Sequence, residues 1–391
     1  MKHFFLFLSL GSMLACCSKM DFVPMDPIEY SILKYENGDA SSIHKFYPLA
    51  ADVLQYYPLL DKKLTFRITA ISYSTVDPNG KEVVASGLVF HPLNKKSKGV
   101  IDFMPSAHID NDGGGTDEMY AVEALLILFG YTIIMPDMIG SGISKDLVIP
   151  FLMVENSGRV AWDMRRAAAQ YLWDEFRFSM PTETMIMGYS LGGNLALAAQ
   201  KYYETNHANA VKVTEVHAGG GVYDLTAAFS AFAQTGTTLY PAIPKAILTF
   251  NHYYKDLDLD FSQVFTGDLL ANYDDWFSGK YKASQLMRWL STDIHAYMHP
   301  DFFVPIDQQN AEFKKLQALL KENSVSEGWK PKAPIYLTHS NADGLAPLEN
   351  AKAAVKTLRK AGANVAFSSY PGDHENAGIV FFIKNILSLT L

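Results

Sequence analysis

Between residues 65 and 225 the apolar positions follow two periods in turn. "LTFRITAISYSTV" alternates polar and apolar, "DPNG" (Asp77 to Gly80) is turn-forming, and "KEVVASGLVFHP" alternates back, which predicts a β-hairpin. Short, solidly apolar runs then alternate with longer amphipathic ones. "GVIDFM" (99–104) reads as a buried strand ending at Pro105, followed by a glycine-rich loop, "IDNDGGGTDE". "EMYAVEALLILFG" reads as a helix, "YTIIMPD" as a strand, and "ENSGRVAWDMRRAAAQYLWDEF" as a long helix. A strand, a helix and another strand, "VKVTEVHAGGGVYDL", complete the series. Strands apolar on both faces, separated by helices, predict an α/β fold: a mostly parallel central sheet covered on both sides.

The rhythm lapses after Leu225 and returns in "APIYLTHSNADG", continuing through a helix ("LENAKAAVKTLRKAGA"), a strand ("NVAFSSYP") and a last helix ("AGIVFFIKNILSL"). Residues 65–225 and 329–391 therefore read as two parts of one core, with 226–328 inserted between them as an aromatic-rich helical cap. Its aromatics include Phe232, Tyr240, Phe250, Tyr253, Trp276, Phe277, Trp289 and Tyr297; most are expected to build the cap's own core and some to line a pocket. Residues 18–64 show little periodicity and read as a lead-in.

The first residues carry a different signal. Met1-Lys2-His3 is a basic start and Phe4 to Ala15 an apolar run, too short to span a bilayer and suited to a signal peptide over 1–17. The run ends in "MLACCS", which resembles a bacterial lipobox, with Ala15 placing the lipidated cysteine at Cys16 rather than Cys17. This implies export to a bacterial cell envelope and a membrane partner reached through a lipid anchor. Those two cysteines are the only ones, so the folded body contains no disulfide. A net charge of -8 and the absence of a dense basic run give no reason to expect a nucleic-acid partner. No metal or other cofactor is called for. His108, Asp110 and Asp112 lie close together but lack the spacing of a calcium loop and read as a solvated loop. Asp256, Asp258 and Asp260 alternate with leucines as a surface strand or loop would, and Arg165 and Arg166 are expected to reach solvent or a carboxylate.

One stretch points to chemistry. In "MIMGYSLGGNLALAAQ" (185–200), Ser190 stands where an apolar strand becomes an alanine-rich helix, flanked by Gly188 and Gly192. A serine exposed by so sharp a turn needs neighbours without side chains two residues away on each side, which is the logic of G-x-S-x-G; Gly193 reads as an extra. The helix that starts at once directs its N–H groups at any charge developing nearby.

With this elbow inside an alternating α/β pattern, residues 65–391 resemble the α/β-hydrolase superfamily, whose core is of an eight-stranded type. The resemblance implies a triad in the order serine, acid, histidine. Asp343, after the strand Ile335 to Thr338 and followed by Gly344-Leu345-Ala346-Pro347, fills the acid slot, and His374, in the loop after the last strand, fills the base slot. His339 lies too close to its strand to compete, and Asp373 is expected to shape the loop. The Leu191 N–H is the first oxyanion donor implied; for the second the sequence after "GVIDFM" offers Ala107, then Ser106, though the family's usual His-Gly pair is missing. "DMIGSGIS" matches the family's D-x-x-G-x-G-x-S turn, with Asp137 pinning it. The longer run "PDMIGSGISKDLVIPFLMVENSGRVAWDMRRAA" resembles the secreted lipase and esterase branch. The expectation is a serine hydrolase of carboxylic esters; a prolyl-oligopeptidase-type peptidase and a non-catalytic ligand-binding lipoprotein are the competing readings.

Overall fold

The alternating runs pair as predicted: Thr65–Val76 (β2) and Glu82–Pro92 (β3) form an antiparallel hairpin. Its turn is fixed by the Asp77 carboxylate, which accepts from the Asn79 and Lys81 amides at 2.9 and 3.0 Å, and by Gly80 at φ 77°. The computed structural model describes residues 26, 28–42, 63–106, 115–117, 119 and 122–389. The signal segment with Cys16, most of the lead-in, Ala107, His108, Asp110 and Asp112 lie outside the described residues.

The apolar runs form β4 (Val100–Met104), β5 (Thr132–Pro136), β6 (Glu183–Tyr189), β7 (Lys212–Gly219), β8 (Ile335–Ser340) and β9 (Val365–Tyr370). With β1 (Tyr30–Asp39) they make one nine-stranded sheet in the order β1-β2-β3-β5-β4-β6-β7-β8-β9. Pairing is antiparallel from β1 to β5 and parallel from β5 to β9. This is the α/β-hydrolase fold. The ninth strand, β1, lies in the stretch read as unpatterned. Seven consecutive residues from Ser31 are exposed, so pairing with β2 rather than burial of one face makes it a strand, and the sequence has no alternation to reveal it.

Alternation along β6 sends Ile186 into one apolar cluster and Met187 into another on the opposite face. Helices α1 (Val154–Phe176) and α2 (Leu191–Asn206) cover the first face. The second face is covered in part by Val122–Phe129, which is a 3₁₀ helix and not the α-helix expected over 118–130. Leu125 to Phe129 are all buried, so no polar stripe selects the α period. Arg165 of α1 is fully buried, its Nη1 3.0 Å from both Asp102 carboxylate oxygens and its Nη2 on the Pro181 carbonyl; the pair ties α1 to β4. Arg166 reaches Asp163 at 3.2 Å.

Between β7 and β8 run α3 (Leu225–Thr235), α4 (Ala242–Tyr253), α5 (Gly267–Trp276), α6 (Ala283–Trp289) and α7 (Ala311–Glu322), joined by 3₁₀ turns. They share a core built on Ile243, Phe250, Phe265, Tyr297 and Phe313, into which Phe151, Leu152 and Met153 of the main body insert. The Asp256–Asp260 segment forms no strand: Leu257 and Leu259 point inward, and Asp260 caps a 3₁₀ turn through the Ser262 amide.

His91 of β3 packs against Phe176 and Phe178 (ring centroids 4.7 and 4.9 Å), with Nδ1 2.9 Å from Thr132 Oγ1. Burial lowers its pKa from 6.5 to about 4. The unfolded chain thus takes up this proton first on acidification. The stabilisation is complete above about pH 6.5 and is lost as pH falls toward 4. Thermal unfolding followed between pH 4 and 7 should show this decline, and His91→Asn should make it shallower; an unchanged slope would exclude His91 as its source.

Candidate active site

One residue separates β6 from α2. Ser190 makes the turn with φ 58° and ψ -126°, a conformation that disfavours a side chain by about 1–3 kcal/mol and is held only by its surroundings. Its N–H donates to the Gly219 carbonyl at 2.8 Å and its carbonyl accepts from Gly193 at 2.9 Å. The glycines leave no alternative. A Cβ on Gly188 would fall on the Gly192 carbonyl, and one on Gly192 on the Met104 carbonyl. Gly193 is no extra, because a Cβ there would fall on the Gly219 carbonyl of β7.

The histidine and the acid converge on this turn. His374 Nε2 lies 2.9 Å from Ser190 Oγ, and Nδ1 lies 2.6 Å from Asp343 Oδ2. His374 was expected in a loop; it is the first residue of the last helix, α9 (His374–Ser388), reached from β9 through a short exposed turn. The Asp373 carboxylate accepts from the Asn376 amide at 2.9 Å and so shapes that turn, as expected. Asp343 sits between β8 and α8 (Leu348–Lys360), its side chain fully buried. Its Oδ1 accepts from the Leu345 and Ala346 amides at 2.9 and 2.8 Å, leaving Oδ2 for the imidazole. The Asp343 carboxylate therefore has three hydrogen bonds, two of them from its own loop, which offsets the cost of burying it. A hydroxyl donating to an imidazole whose far nitrogen is held by such a carboxylate can pass its proton to that ring.

His339, set aside on position, is buried and holds the Ala346 carbonyl through Nε2 at 2.8 Å, 3.8 Å from Asp343 Oδ2. Burial lowers its pKa, so it stays neutral behind the acid loop. Asp137 accepts from the Ser86 and Thr116 hydroxyls, each at 2.5 Å, and Ser86 Oγ accepts from the Ile143 amide at 3.2 Å, so the carboxylate is tied to the turn through Ser86. Leu191 heads α2, and the end of β4 lies against that first helical turn: Pro105 O would be 2.9 Å from a Cβ on Gly192. The neighbouring Ser106 hydroxyl donates to the Tyr189 carbonyl at 3.2 Å. Ala107 lies outside the described residues. Among the described residues no cluster of histidine, cysteine and carboxylate side chains could hold a metal.

The helices between β7 and β8 reach this end of the sheet. The Leu239 amide donates to the Gly344 carbonyl at 3.1 Å, and Tyr240 packs edge-on to Phe151. Beside them opens a cavity of about 640 Å³ whose walls include Tyr240, Lys245, Phe261, Trp276 and Phe277. Phe250 and Tyr297 are buried in the helical core instead. Sequence reasoning missed Tyr189, whose ring packs on His374; Gly219, Gly220 and Gly378, each facing that ring, were the traces of a close approach there.

The model of a family described as secretory lipase matches residues 115–374. Among solved structures, the chain is similar to the rice cell wall degrading esterase LipA from Xanthomonas oryzae, with 19% identity and a TM-score of 0.74 over 93% of this chain and 96% of that one. It is also similar to Candida antarctica lipase A in its closed state, with 15% identity and a TM-score of 0.58 over 89% and 78% of the two chains. At such identities the likeness is one of fold. No curated protein sequence matches the chain.

Gly193→Ala should drive a methyl into the Gly219 carbonyl and displace the Ser190 turn, lowering both the ester hydrolysis rate and the melting temperature. Wild-type values of both would show that the elbow has room to spare.

Proposed function

The chain belongs to the secretory lipase family and is a carboxylic ester hydrolase, and we propose that Ser190, His374 and Asp343 perform the hydrolysis through an acyl-enzyme. The observation that carries this reading is the unbroken path from Ser190 Oγ through His374 to the buried Asp343 carboxylate. Ser190 Oγ attacks the ester carbonyl carbon as its proton passes to His374 Nε2. Asp343 keeps the ring oriented and stabilises it once charged. The carbonyl oxygen becomes an oxyanion within reach of the Leu191 N–H at the head of α2; the loop after β4, from Ser106 or Ala107, supplies the second donor. Collapse expels the alcohol, which takes the proton from His374. Water then attacks the acyl carbon as its proton passes to the same nitrogen; collapse breaks the bond to Ser190 Oγ, which takes that proton back from His374, and the acid leaves.

Residues 226–328 act as a cap that selects the substrate. The contact of Leu239 with Gly344, one residue from the acid, supports this. Membership of a secretory family implies export. Cys16, after cleavage of the signal peptide, carries the lipid that tethers the enzyme to the envelope. More than one acyl chain is needed to hold it there stably.

Ser190→Ala and His374→Ala should each lower kcat at least ~10³-fold while the fold survives, as judged by circular dichroism and melting. Near-normal hydrolysis by a folded Ser190→Ala protein would overturn the mechanism. Trp276→Ala and Tyr240→Ala should change the ranking of nitrophenyl esters from acetyl to palmitoyl while leaving labelling by a small fluorophosphonate near wild type; an unchanged ranking would remove the cap from selection. Cys16→Ser with Cys17→Ser should lose metabolic labelling by a fatty-acid analogue and leave the membrane fraction; continued partitioning to membranes would exclude the anchor.

A further inference from the structure

We propose that Tyr189 is the positioning residue for the base: it holds the main chain of His374 against the nucleophile's own strand. The proposal rests on the reading of Ser190, His374 and Asp343 given above. Tyr189 ends β6 and precedes Ser190 directly, so its place is fixed with that of the nucleophile. It is buried, its ring lies 5.1 Å from the His374 ring and 5.3 Å from Phe381, and its hydroxyl donates to the His374 carbonyl. The two side-chain bonds of His374 fix the ring but not the backbone that carries it. That backbone emerges from Pro371, Gly372 and Asp373, all exposed; the Ser340 hydroxyl of β8 holds the Gly372 carbonyl, and at His374 itself the tie to the sheet is the phenol.

Space for the ring is kept by three glycines from two different segments. A Cβ on Gly219 would lie 2.6 Å from Tyr189 Cδ2, one on Gly220 2.7 Å from Cζ, and one on Gly378 3.0 Å from Cε1. Gly220, at φ 58°, has a backbone reason of its own. Gly378 has none, because it lies inside α9, where alanine is favoured over glycine by about 1 kcal/mol. A helical glycine facing this ring is explained by the ring. Burial raises the Tyr189 pKa, so the hydroxyl remains a donor at neutral pH. One rigid side chain thereby sets the spacing of nucleophile and base, and the hydroxyl is what distinguishes tyrosine from phenylalanine in that role.

Three variants of the full chain test this, with kcat expressed per serine titrated by a fluorophosphonate. Tyr189→Phe keeps the ring and removes the anchor. It should lower kcat about ten- to a hundredfold, the range expected when a catalytic group shifts by up to about an ångström. The rate of fluorophosphonate labelling should fall in parallel, with KM unchanged. A merely structural hydroxyl would lower the melting temperature and leave both rates per titrated serine intact. Should the Phe variant not fold, Gly378→Ala decides. It should lower kcat in the wild-type background and have no further effect where Tyr189→Leu has removed the ring. Wild-type kcat and labelling for Tyr189→Phe, or an equal effect of Gly378→Ala with and without the ring, would overturn the proposal. Hydrolysis surviving Ser190→Ala would instead overturn the triad reading, so the two failures are distinguishable.

Discussion

Backbone packed directly on backbone is the constraint from which the catalytic end of this molecule follows. Ser190 can hold its unfavourable torsions only if β6, α2, the end of β4 and the end of β7 close around it with no side chains between them. Gly188, Gly192 and Gly193 are the means, and the carbonyls of Met104, Gly192 and Gly219 are what they make room for. The turn cannot relax without parting strands that lie at the centre of the sheet. Its strain is small against the packing of that sheet, which is why a torsion costing a few kcal/mol is maintained.

The histidine and the acid depend on the same junction by different routes. Asp343 is prepared locally: two amides of its own loop fix one oxygen, and His339 braces that loop through the Ala346 carbonyl. His374 draws its position from the acid, from the serine and from the tyrosine beside the serine, while the turn that delivers it is held by the Asp373 carboxylate on the Asn376 amide and by the Ser340 hydroxyl on the Gly372 carbonyl. Away from the surface, the Arg165–Asp102 pair binds α1 to β4, the strand whose end also abuts the elbow. Either charge alone would be stranded in an apolar interior, so the two are retained as a unit.

Much of this was legible in the residues and some was not. The elbow could be read because strand, glycines and helix are consecutive in the chain. Asp343 and His374 could be placed because the resemblance supplied slots and each slot held one good candidate. The hydrophobic period identified β2 to β9 because each buries at least part of one face. It failed at β1, which buries little and is held by its ladder to β2. It failed also at Val122–Phe129, apolar without a break after Glu123 and so without a period to read. Arg165 was expected to reach solvent or a carboxylate; it reaches a carboxylate, but a basic pair on a helix carries no mark that the partner is Asp102, buried 63 residues earlier in the chain. Tyr189 was hidden for a related reason: its partners come from β7 and α9, and only the unexplained glycines of those segments hint at a shared ring.

The position of β1 has a mechanical consequence. It is the outermost strand, five places from β6 in the sheet, or roughly 24 Å at about 4.8 Å per strand. A load entering the fold at Tyr30 falls on the β1–β2 ladder and on two contacts with α1, the Tyr30 hydroxyl on Asp174 and the Tyr30 ring against Tyr171. That ladder has little buried surface behind it, so it opens first. Peeling it away dissipates the load at the rim, while the register of the central strands, on which the geometry at Ser190 depends, is left undisturbed.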